Sequence, residues 1–329
     1  MRETEITAPV DLCFPSGRLN PAAVGWSRRL QHRINLPGWG RNKRFEYWCI
    51  NTPTFVVAAN VSNHDYRANV SCNLLDLTTG VETFEGGNVW LPSRRYAVSD
   101  APSLAVRGAR KGIELEVAPV PEGATIRVES ERIQLDVVVH IPDDHEVMCV
   151  VVPWTERRYQ FTAKNNCLRV SGTVTHDGIA HVLDPDVVNA TYDRGRGRWP
   201  YRTLWNWGAG SGMSDGVEIG LNFGGKWTDG TPSTENCLRI DGRLHKISQP
   251  VMWEYDTKNW MAPWRLSNHR VDLTFTPERE VHHRFDRLVI LNRGDQMFGR
   301  WNGSVVDDAG VRYEVRNIFG HVEEVQRRW

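Results

Sequence analysis

The sequence has no excess of charge of either sign and no long apolar run. Forty Lys and Arg balance forty Asp and Glu, so the surface has no net field to gather phosphate backbones or anionic lipid. No nucleic-acid partner is therefore expected. No apolar stretch approaches the ~18 residues of a membrane-spanning helix, and the amino-terminal residues lack the apolar segment of a signal peptide. We predict a soluble, cytoplasmic protein with no membrane span.

Closely spaced cysteines and cofactor motifs are also missing. The six cysteines are scattered with no CxxC pair, so a disulfide framework is not expected, and thiols in apolar runs behave as small hydrophobic side chains. His and Cys do not cluster at the spacing of a zinc site. Phosphate-binding GxxxxGK[ST] and strand–GxGxxG–helix patterns are absent from the sequence, and no GxSxG nucleophile elbow between a strand and a helix is indicated. We predict no metal, no cofactor and no serine-hydrolase centre.

Short runs rich in β-branched residues dominate the chain. They alternate apolar with polar side chains and are separated by Gly, Pro, Asn or Asp, which is typical of antiparallel strands. Such runs are residues 54–61, 69–77, 113–117, 133–140, 147–152, 168–174, 217–223, 270–276 and 281–291. Only residues 21–31 indicate a helix, and Asp177-Gly178 and Asp241-Gly242 indicate hairpin tips. The pattern predicts an all-β protein of antiparallel sandwiches or barrels.

The order of features in the first half of the chain recurs in the second. An aromatic segment (45–48), a strand (54–61), a polar loop (62–67) and a strand with a turn (69–80) correspond to residues 199–207, 217–223, a polar loop and 236–242. Two similar β domains would produce this order, and 329 residues exceed most single cores. We place the boundary in a loop-like segment, giving domains of residues 1–185 and 186–329.

Tryptophan is concentrated in one part of the chain. Seven of the fourteen lie between residues 199 and 264, interleaved with Arg, Lys, Asp, Glu and Asn. On a strand, Trp205 and Trp207 face one side and Asn206 the other, and the alternating glycines that follow allow a close backbone approach. Two interpretations remain open. The Trp side chains form the wall of a small-ligand pocket, or they form an aromatic plug that closes one end of a barrel.

The loop after this block is the best candidate for polar chemistry. Lys226 supplies a cation, Asp229 and Glu235 supply two carboxyls, and Asn236 supplies an amide. A carboxyl beside Trp227 in a dry pocket has a raised pKa and can donate a proton near neutral pH. Glu235 is the first candidate for this role because it begins a strand, which is a rigid support, and Asp229 is the second. The alternative is an exposed hairpin loop that turns at Asp229.

Other side chains complete the predicted site. Glu46 and Trp48 share a strand face, so Glu46 is either a carboxylate inside the first barrel or the partner of an Arg at the domain interface. Arg202 could bind a carboxylate or stack on Trp, although an ion pair with Asp193 is the commoner role of such an Arg. The predicted ligand-binding residues are Glu46, Trp48, Trp199, Tyr201, Arg202, Trp205, Asn206, Trp207, Lys226, Trp227 and Asn236.

These segments together resemble an uncharacterised bacterial family, domain of unknown function 2804. The resemblance covers nearly the whole chain and lies in residues 17–28, 45–48, 199–212, 225–231, 241–246, 297–300 and 323–329. That family is in turn similar to the AttH-like and hydroxyneurosporene synthase (carotenoid hydratase) group. The resemblance implies two tandem lipocalin-like (calycin-type) antiparallel β-barrels with little helix, and it assigns no catalytic residues.

Three functions fit these features. The first is an enzyme of hydratase, cyclase or isomerase type that uses no metal or nucleotide and moves a proton on an apolar, lipid-like or terpenoid molecule. The resemblance to the hydratase group motivates it. The second is a non-catalytic carrier of such a ligand. The third is a carbohydrate-active enzyme with Trp platforms and paired carboxylates. The expected partner in each case is a small molecule, and the sequence indicates no oligomeric state.

Overall fold

Strands make up nearly all of the regular structure. The computed structural model describes residues 3–92, 96–98, 100, 104–287 and 290–328. Within these residues the one helical element is a 3-10 turn at Pro21–Ala23. None of the described segments forms a helix that is long and apolar enough to cross a membrane. The period-two pattern of the sequence therefore gives the predicted all-β fold.

The described part of residues 3–198 contains two sheets. The smaller one is the parallel pair of β1 with β3, and the other fourteen strands form the first large sheet. The strands are β1 (Val10–Asp11), β2 (Trp26–Ser27), β3 (His32–Arg33), β4 (Lys43–Asn51), β5 (Phe55–Asn63), β6 (Arg67–Asp76), β7 (Glu82–Trp90), β8 (Ala97–Val98), β9 (Val106–Arg110), β10 (Ile113–Val120), β11 (Gly123–Ser130), β12 (Ile133–His140), β13 (Met148–Thr155), β14 (Arg158–His176), β15 (Ile179–Leu183) and β16 (Asn189–Arg198).

The described part of residues 202–328 forms the second large sheet. Its nine strands are β17 (Arg202–Ser214), β18 (Val217–Gly225), β19 (Cys237–Ile240), β20 (Arg243–Lys246), β21 (Met252–Glu254), β22 (Trp264–Ser267), β23 (Val271–Arg287), β24 (Ile290–Val306) and β25 (Arg312–Arg328). The last three strands are each 17 residues long. Such long strands let the sheet curl.

Each large sheet begins with a meander whose first strand pairs with the last strand of the same sheet. β4 pairs with β16, and β17 pairs with β25. In the first sheet β6 and β7 also contact β9, so this barrel is nearly closed, whereas the second sheet is a half-barrel. Each sheet encloses its own apolar core. The prediction of two barrel-like β domains is confirmed.

The chain passes from the first sheet to the second between Arg198 and Arg202. β16 pairs with β14 and β4, so it completes the first sheet although it follows residue 185. The domain boundary between residues 185 and 186 stays a prediction about folding units. The chain leaves the first sheet and enters the second only after Arg198, which is later than this predicted boundary.

The two sheets pack against each other most closely along four strands. β14 and β16 of the first contact β17 and β18 of the second. The ring of Trp207 lies under the Lys164 ammonium of the first sheet, whereas Asn206 donates to Tyr255 on the other side of β17. Trp205 packs on Trp199, which follows β16. Trp205 and Trp207 therefore share a face, as predicted, and this face points at the first barrel.

The glycines after Trp207 make room for an indole ring of the second core. A Cβ on Gly210 would lie 2.8 Å from Cδ1 of Trp301, whereas one on Gly212 would lie 3.7 Å from Ile318. Trp301 is fully buried, and its Nε1 donates to the carbonyl oxygen of Ala209 at 3.1 Å. The close approach predicted at these glycines therefore accommodates the Trp301 side chain in the core of the second barrel.

Local predictions had mixed outcomes. Residues 21–31 do not form the predicted helix, because after the 3-10 turn the chain enters β2, which pairs with β13. Tertiary pairing outweighs a weak local propensity here. The two hairpin tips are confirmed, since Asp177 and Asp241 adopt positive φ (48° and 44°) and join consecutive antiparallel strands. All six cysteines are buried and free.

We expect Gly210→Ala to lower the free energy of unfolding by about 1–3 kcal/mol, the usual cost of overpacking a core, because the new methyl group presses on Trp301. Gly212→Ala in the same strand is the control, and its effect should stay below about 1 kcal/mol. Urea unfolding followed by circular dichroism measures both. Equal losses in the two variants would contradict the role of Gly210.

Candidate functional site

Three indole rings lie together where the two barrels meet. Trp199 follows β16, Trp205 lies on β17 and Trp227 lies in the loop after β18. Their ring centroids are separated by 6.1 Å (Trp199–Trp205), 5.6 Å (Trp199–Trp227) and 5.7 Å (Trp205–Trp227). Trp199 and Trp227 are buried, and Trp205 is partly exposed. The three rings pack against one another and cover the polar side chains described next; we call them the aromatic roof.

Two of these indoles donate hydrogen bonds to glutamates. Nε1 of Trp227 donates to Oε2 of Glu235 at 3.1 Å, and Nε1 of Trp205 donates to Oε1 of Glu323 at 2.9 Å. Nε1 of Trp199 donates to Gln160 of the first sheet. Glu235, predicted as the proton donor, therefore has a counterpart on β25, and an indole N–H holds each carboxyl in place.

Both barrels position the loop that carries Glu235. Nε1 of Trp154 donates to the carbonyl oxygen of Trp227 at 2.6 Å, and Oγ of Ser233 donates to that of Val151 at 2.7 Å. Trp154 and Val151 belong to β13 of the first sheet. On the side of the second sheet, Gly224 leaves space for the glutamate, because a Cβ there would lie 2.8 Å from Oε2 of Glu235.

Burial makes both glutamates weaker acids. Glu235 is 1% exposed, and burial raises its pKa to about 7 against the opposing effect of Lys164. Burial likewise raises the pKa of Glu323 to about 7, against the hydrogen bond from Trp205. Carboxyls in this range can donate or accept a proton at neutral pH. Oε1 of Glu235 has no hydrogen-bond partner among the described residues, and such a buried atom is costly unless a further group binds it.

Lys164 of β14 enters the same space from the first barrel. Its Nζ lies 2.6 Å from Oδ2 of Asp193, 4.0 Å from Oε2 of Glu235 and 4.2 Å from the ring centroid of Trp207. Burial alone would lower the pKa of Lys164, but the carboxylates of Asp193 and Glu235 hold it above its ordinary value. The ammonium therefore stays charged and stabilises negative charge on Glu235.

A buried histidine lies behind Trp207. The ring of His321 meets that of Trp207 edge-on at 4.6 Å between centroids, and neither ring nitrogen has a hydrogen-bond partner in the described part of the chain. Burial, with the charge of Lys164, lowers the pKa of His321 to about 3, so the ring is neutral. We call the following residues the junction site: Lys164, Asp193, Trp207, Glu235, His321 and Glu323, with the roof of Trp199, Trp205 and Trp227.

Lys226 and Asn206 belong to another cluster. Nζ of Lys226 lies 2.6 Å from the hydroxyl of Tyr255 and forms an ion pair with Glu324, and Nδ2 of Asn206 donates to the same hydroxyl at 3.0 Å. Asn206 faces the interior of the second barrel, on the opposite side of β17 from Trp205. The structure therefore does not bring these two predicted residues together with Glu235.

Four more predicted residues lie apart from the junction site. Asp229, Tyr201 and Arg202 are exposed, Asp229 at the loop tip. Asn236 supports the backbone, since its Oδ1 accepts from the Gly224 N–H at 2.9 Å and its Nδ2 donates to a carbonyl oxygen at 3.1 Å. The expected ion pair of Arg202 with Asp193 is wrong, because Lys164 occupies that position.

Glu46 and Trp48 lie inside the first barrel. Glu46 accepts a hydrogen bond from the hydroxyl of Tyr192 and forms ion pairs with Arg194, at 3.2 Å, and with Arg196. The ring of Trp48 lies 4.3 Å from that of Tyr192. The first interpretation of Glu46 describes its position, a carboxylate inside the first barrel; its arginine partners lie on the same inner face and not at the domain interface.

Sequence reasoning missed Lys164, His321 and Glu323, and considered Asp193 only as a partner of Arg202. The pairing of β17 with β25 sets Glu323 opposite Trp207 and His321 opposite Ala209. That register joins positions more than a hundred residues apart, and it is invisible in a local pattern. Lys164 is itself buried in the middle of the buried stretch 159–168, and the mixed polar sequence of that stretch gives no local sign of it. The described residues contain no group of three or more His, Cys, Asp or Glu that could hold a metal ion.

We expect the wild-type protein to lose stability relative to Glu235→Gln as the pH rises from about 4.5 to about 7. The folded-state pKa of about 7 lies above the ordinary value of 4.5. Protonation therefore stabilises the folded state below pH 4.5, and this contribution disappears as the pH rises through 7. The difference corresponds to about 3 kcal/mol. Urea unfolding at several pH values measures it.

Glu254→Gln, which removes an exposed carboxyl from β21, is the control for the loss of one acidic group. Its stability difference from wild type should vary with pH much less than that of Glu235→Gln. If the two variants follow the same pH dependence, the raised pKa assigned to Glu235 is wrong.

Comparison with known proteins agrees with this fold. The sequence matches the family model described as "Domain of unknown function (DUF2804)" over residues 3–329. No curated protein matches the sequence significantly. The fold is similar to CghA (TM-score 0.55, 12% identity, 89% of this chain and 93% of that chain). It is also similar to an AttH-like protein from Nitrosomonas europaea (TM-score 0.51, 13% identity, 87% and 92%).

Kievitone hydratase from Nectria haematococca matches less well (TM-score 0.49, 10% identity, 87% of this chain and 88% of that chain). At these identities the solved structures show the shared fold alone. The family model spans nearly the whole chain, and we conclude that the chain belongs to the family described as domain of unknown function 2804.

Proposed function

We propose that the protein is an enzyme that moves a proton on an apolar small molecule at the junction site. The observation that carries the proposal is Glu235: it is buried, its pKa is about 7, and its Oε1 has no hydrogen-bond partner among the described residues. A protonated carboxyl against indole rings is suited to protonate an alkene carbon. The reaction class is a hydration, a cyclisation or an isomerisation of a lipid-like or terpenoid substrate.

Two carboxyls allow a balanced proton transfer. In the first step the proton of Glu235 moves to an alkene carbon, which leaves a cation on the substrate and a carboxylate on Glu235. The Lys164 ammonium, 4.0 Å from that carboxylate, stabilises the charge that forms. In the second step Glu323 takes a proton, either from a carbon next to the cation or from a water that attacks it. The proton returns to Glu235 before the next cycle.

The aromatic roof suits the intermediate. The negative face of an indole attracts a cation, by roughly 2 kcal/mol when water is excluded. Trp205 and Trp227 donate to the two carboxyls, and Trp199 packs against both of these rings. Packed rings also limit the access of water, which favours proton transfer over side reactions. The partly exposed Trp205 marks the side from which a substrate would enter.

The two other functions make different demands on this site. A carrier needs no acid, so the energetic cost of burying Glu235 and Lys164 would have no purpose in it. Glycoside cleavage needs a pair of carboxyls at one sugar ring; Asp229, the partner first predicted for Glu235, is exposed at the loop tip, so the pair available to it is Glu235 with Glu323. Both functions remain predictions, and the experiment below separates the carrier from proton transfer.

Deuterium incorporation tests the reaction even when its product has not been identified. We expect the wild-type protein in D₂O to introduce deuterium into at least one member of a panel of terpenoid and other apolar alkenes, read by mass spectrometry. Glu235→Gln should slow incorporation by about 100-fold or more, because a positioned general acid contributes that much. The wild-type rate should fall as the pH rises through about 7, since the acid must be protonated.

The control is Glu254→Gln, which removes an exposed carboxyl and should leave incorporation unchanged. Incorporation by Glu235→Gln at the wild-type rate would show that another group is the acid. Compounds that bind, as seen by native mass spectrometry, but never gain deuterium would indicate a carrier instead.

A further inference from the structure

A cavity lies at the other end of the seam between the barrels. Its volume is about 260 Å³, and both sheets line it. Ser211 of β17 is among the lining residues, on the same face as Trp207 and four positions further on, which is about 13 Å along a strand. Trp207, Glu235 and Glu323 do not line it. The cavity is therefore separate from the junction site.

Bulged backbone forms part of both walls. Cys167 in β14 and Asn317 in β25 have φ values of 58° and 57°, which residues other than glycine rarely adopt. Each lies where the pairing register of its strand shifts. The Cys167 N–H donates to Oγ of Ser211 at 3.0 Å, so the first wall is tied to the second sheet. The bulges interrupt regular pairing where the cavity opens.

One arginine from each barrel reaches the cavity. Arg169 donates to the carbonyl oxygens of Pro185 and Asp186 and forms an ion pair with Glu218 at 3.2 Å. A guanidinium has five N–H donors, and these contacts use three. Arg300 of the second barrel lies over the ring of Phe319, forms an ion pair with Glu278 at 3.3 Å and donates to the carbonyl oxygen of Asn317 at 3.4 Å. The two side chains are 43% and 34% exposed, so both are oriented by the protein and still accessible.

The charges of the lining balance. Arg169 and Arg300 are matched by the carboxylates of Asp186 and Glu218, so a bare anion gains nothing from net charge. A molecule that has both an oxyanion and hydrogen-bond donors uses the whole lining. The guanidiniums bind its oxyanion. Its hydroxyl or amino groups bind to the carboxylates, to the hydroxyl of Ser211 and to the amides of Asn51, Asn189 and Asn317.

We propose that this cavity binds a small polar molecule that carries a carboxylate or a phosphate together with hydroxyl or amino groups. Its volume lies just below the usual range for drug-sized ligands, about 300–1,000 Å³, which limits the ligand to the size of a small metabolite. Since Arg169 and Arg300 belong to different barrels, the bound molecule joins the two domains. This site is independent of the proposed reaction at the junction site.

Calorimetric titration of the full-length protein with L-malate, glycerol 3-phosphate and inorganic phosphate tests the proposal. We expect malate or glycerol 3-phosphate to bind with a dissociation constant of about 1 mM or below, and the probe that binds identifies the oxyanion. Inorganic phosphate should bind more weakly because it has no separate donor groups. Arg300→Gln should weaken binding about tenfold or more, the effect of losing a charge-assisted hydrogen bond.

Arg316→Gln is the matched control. Arg316 lies on β25 near the cavity, is exposed and pairs with Asp215, but it does not line the cavity, so binding should stay at the wild-type level. Circular dichroism and the thermal midpoint show that the variants fold. The proposal is overturned if neither organic probe binds at about 20 mM, if phosphate binds as tightly as they do, or if Arg300→Gln binds like wild type.

Discussion

The ammonium of Lys164 lies in the layer between two barrels, away from water, and the groups around it are arranged to keep it charged. Moving such an ion out of water is costly unless a partner lies in contact, and Asp193 is that partner at 2.6 Å. The same charge limits how far burial raises the pKa of Glu235, and it helps to keep His321 neutral. If the two sheets did not pack here, each of these side chains would be an ordinary surface group.

The strand β17 serves two environments at once. Its glycines face inward, because Trp301 occupies the space beside Gly210. Its large side chains, Trp205 and Trp207, face outward to the first barrel. This inverts the usual arrangement, in which the bulky residues of a barrel strand point inward. The strand can do so because its outer face is covered by another domain and not by water.

Period-two patterns and turn dipeptides were sufficient to predict the strands and the hairpin tips at Asp177 and Asp241. They also predicted the shared face of Trp205 and Trp207. All of these features depend on neighbours in sequence. The local environment expected for Glu235 also follows from its proximity to Trp227. The partners Lys164, His321 and Glu323 could not be predicted, because they reach the site only through the register of β25 with β17 and the packing of the two sheets. The prediction of a helix at residues 21–31 was wrong for the same reason, because part of that segment forms β2 and pairs with β13.

The loop that carries Glu235 is fastened to β13 by Trp154 and Ser233, although it belongs by sequence to the second barrel. Neither half of the chain therefore encodes the acid by itself: one supplies the carboxyl, and the other supplies the walls that keep water from it. If the gene arose by duplication of a single barrel, the ancestral unit could not have contained this centre. The proposed chemistry would then date from the fusion, and an insertion that lengthened the link between β16 and β17 would impair it even though both barrels still folded.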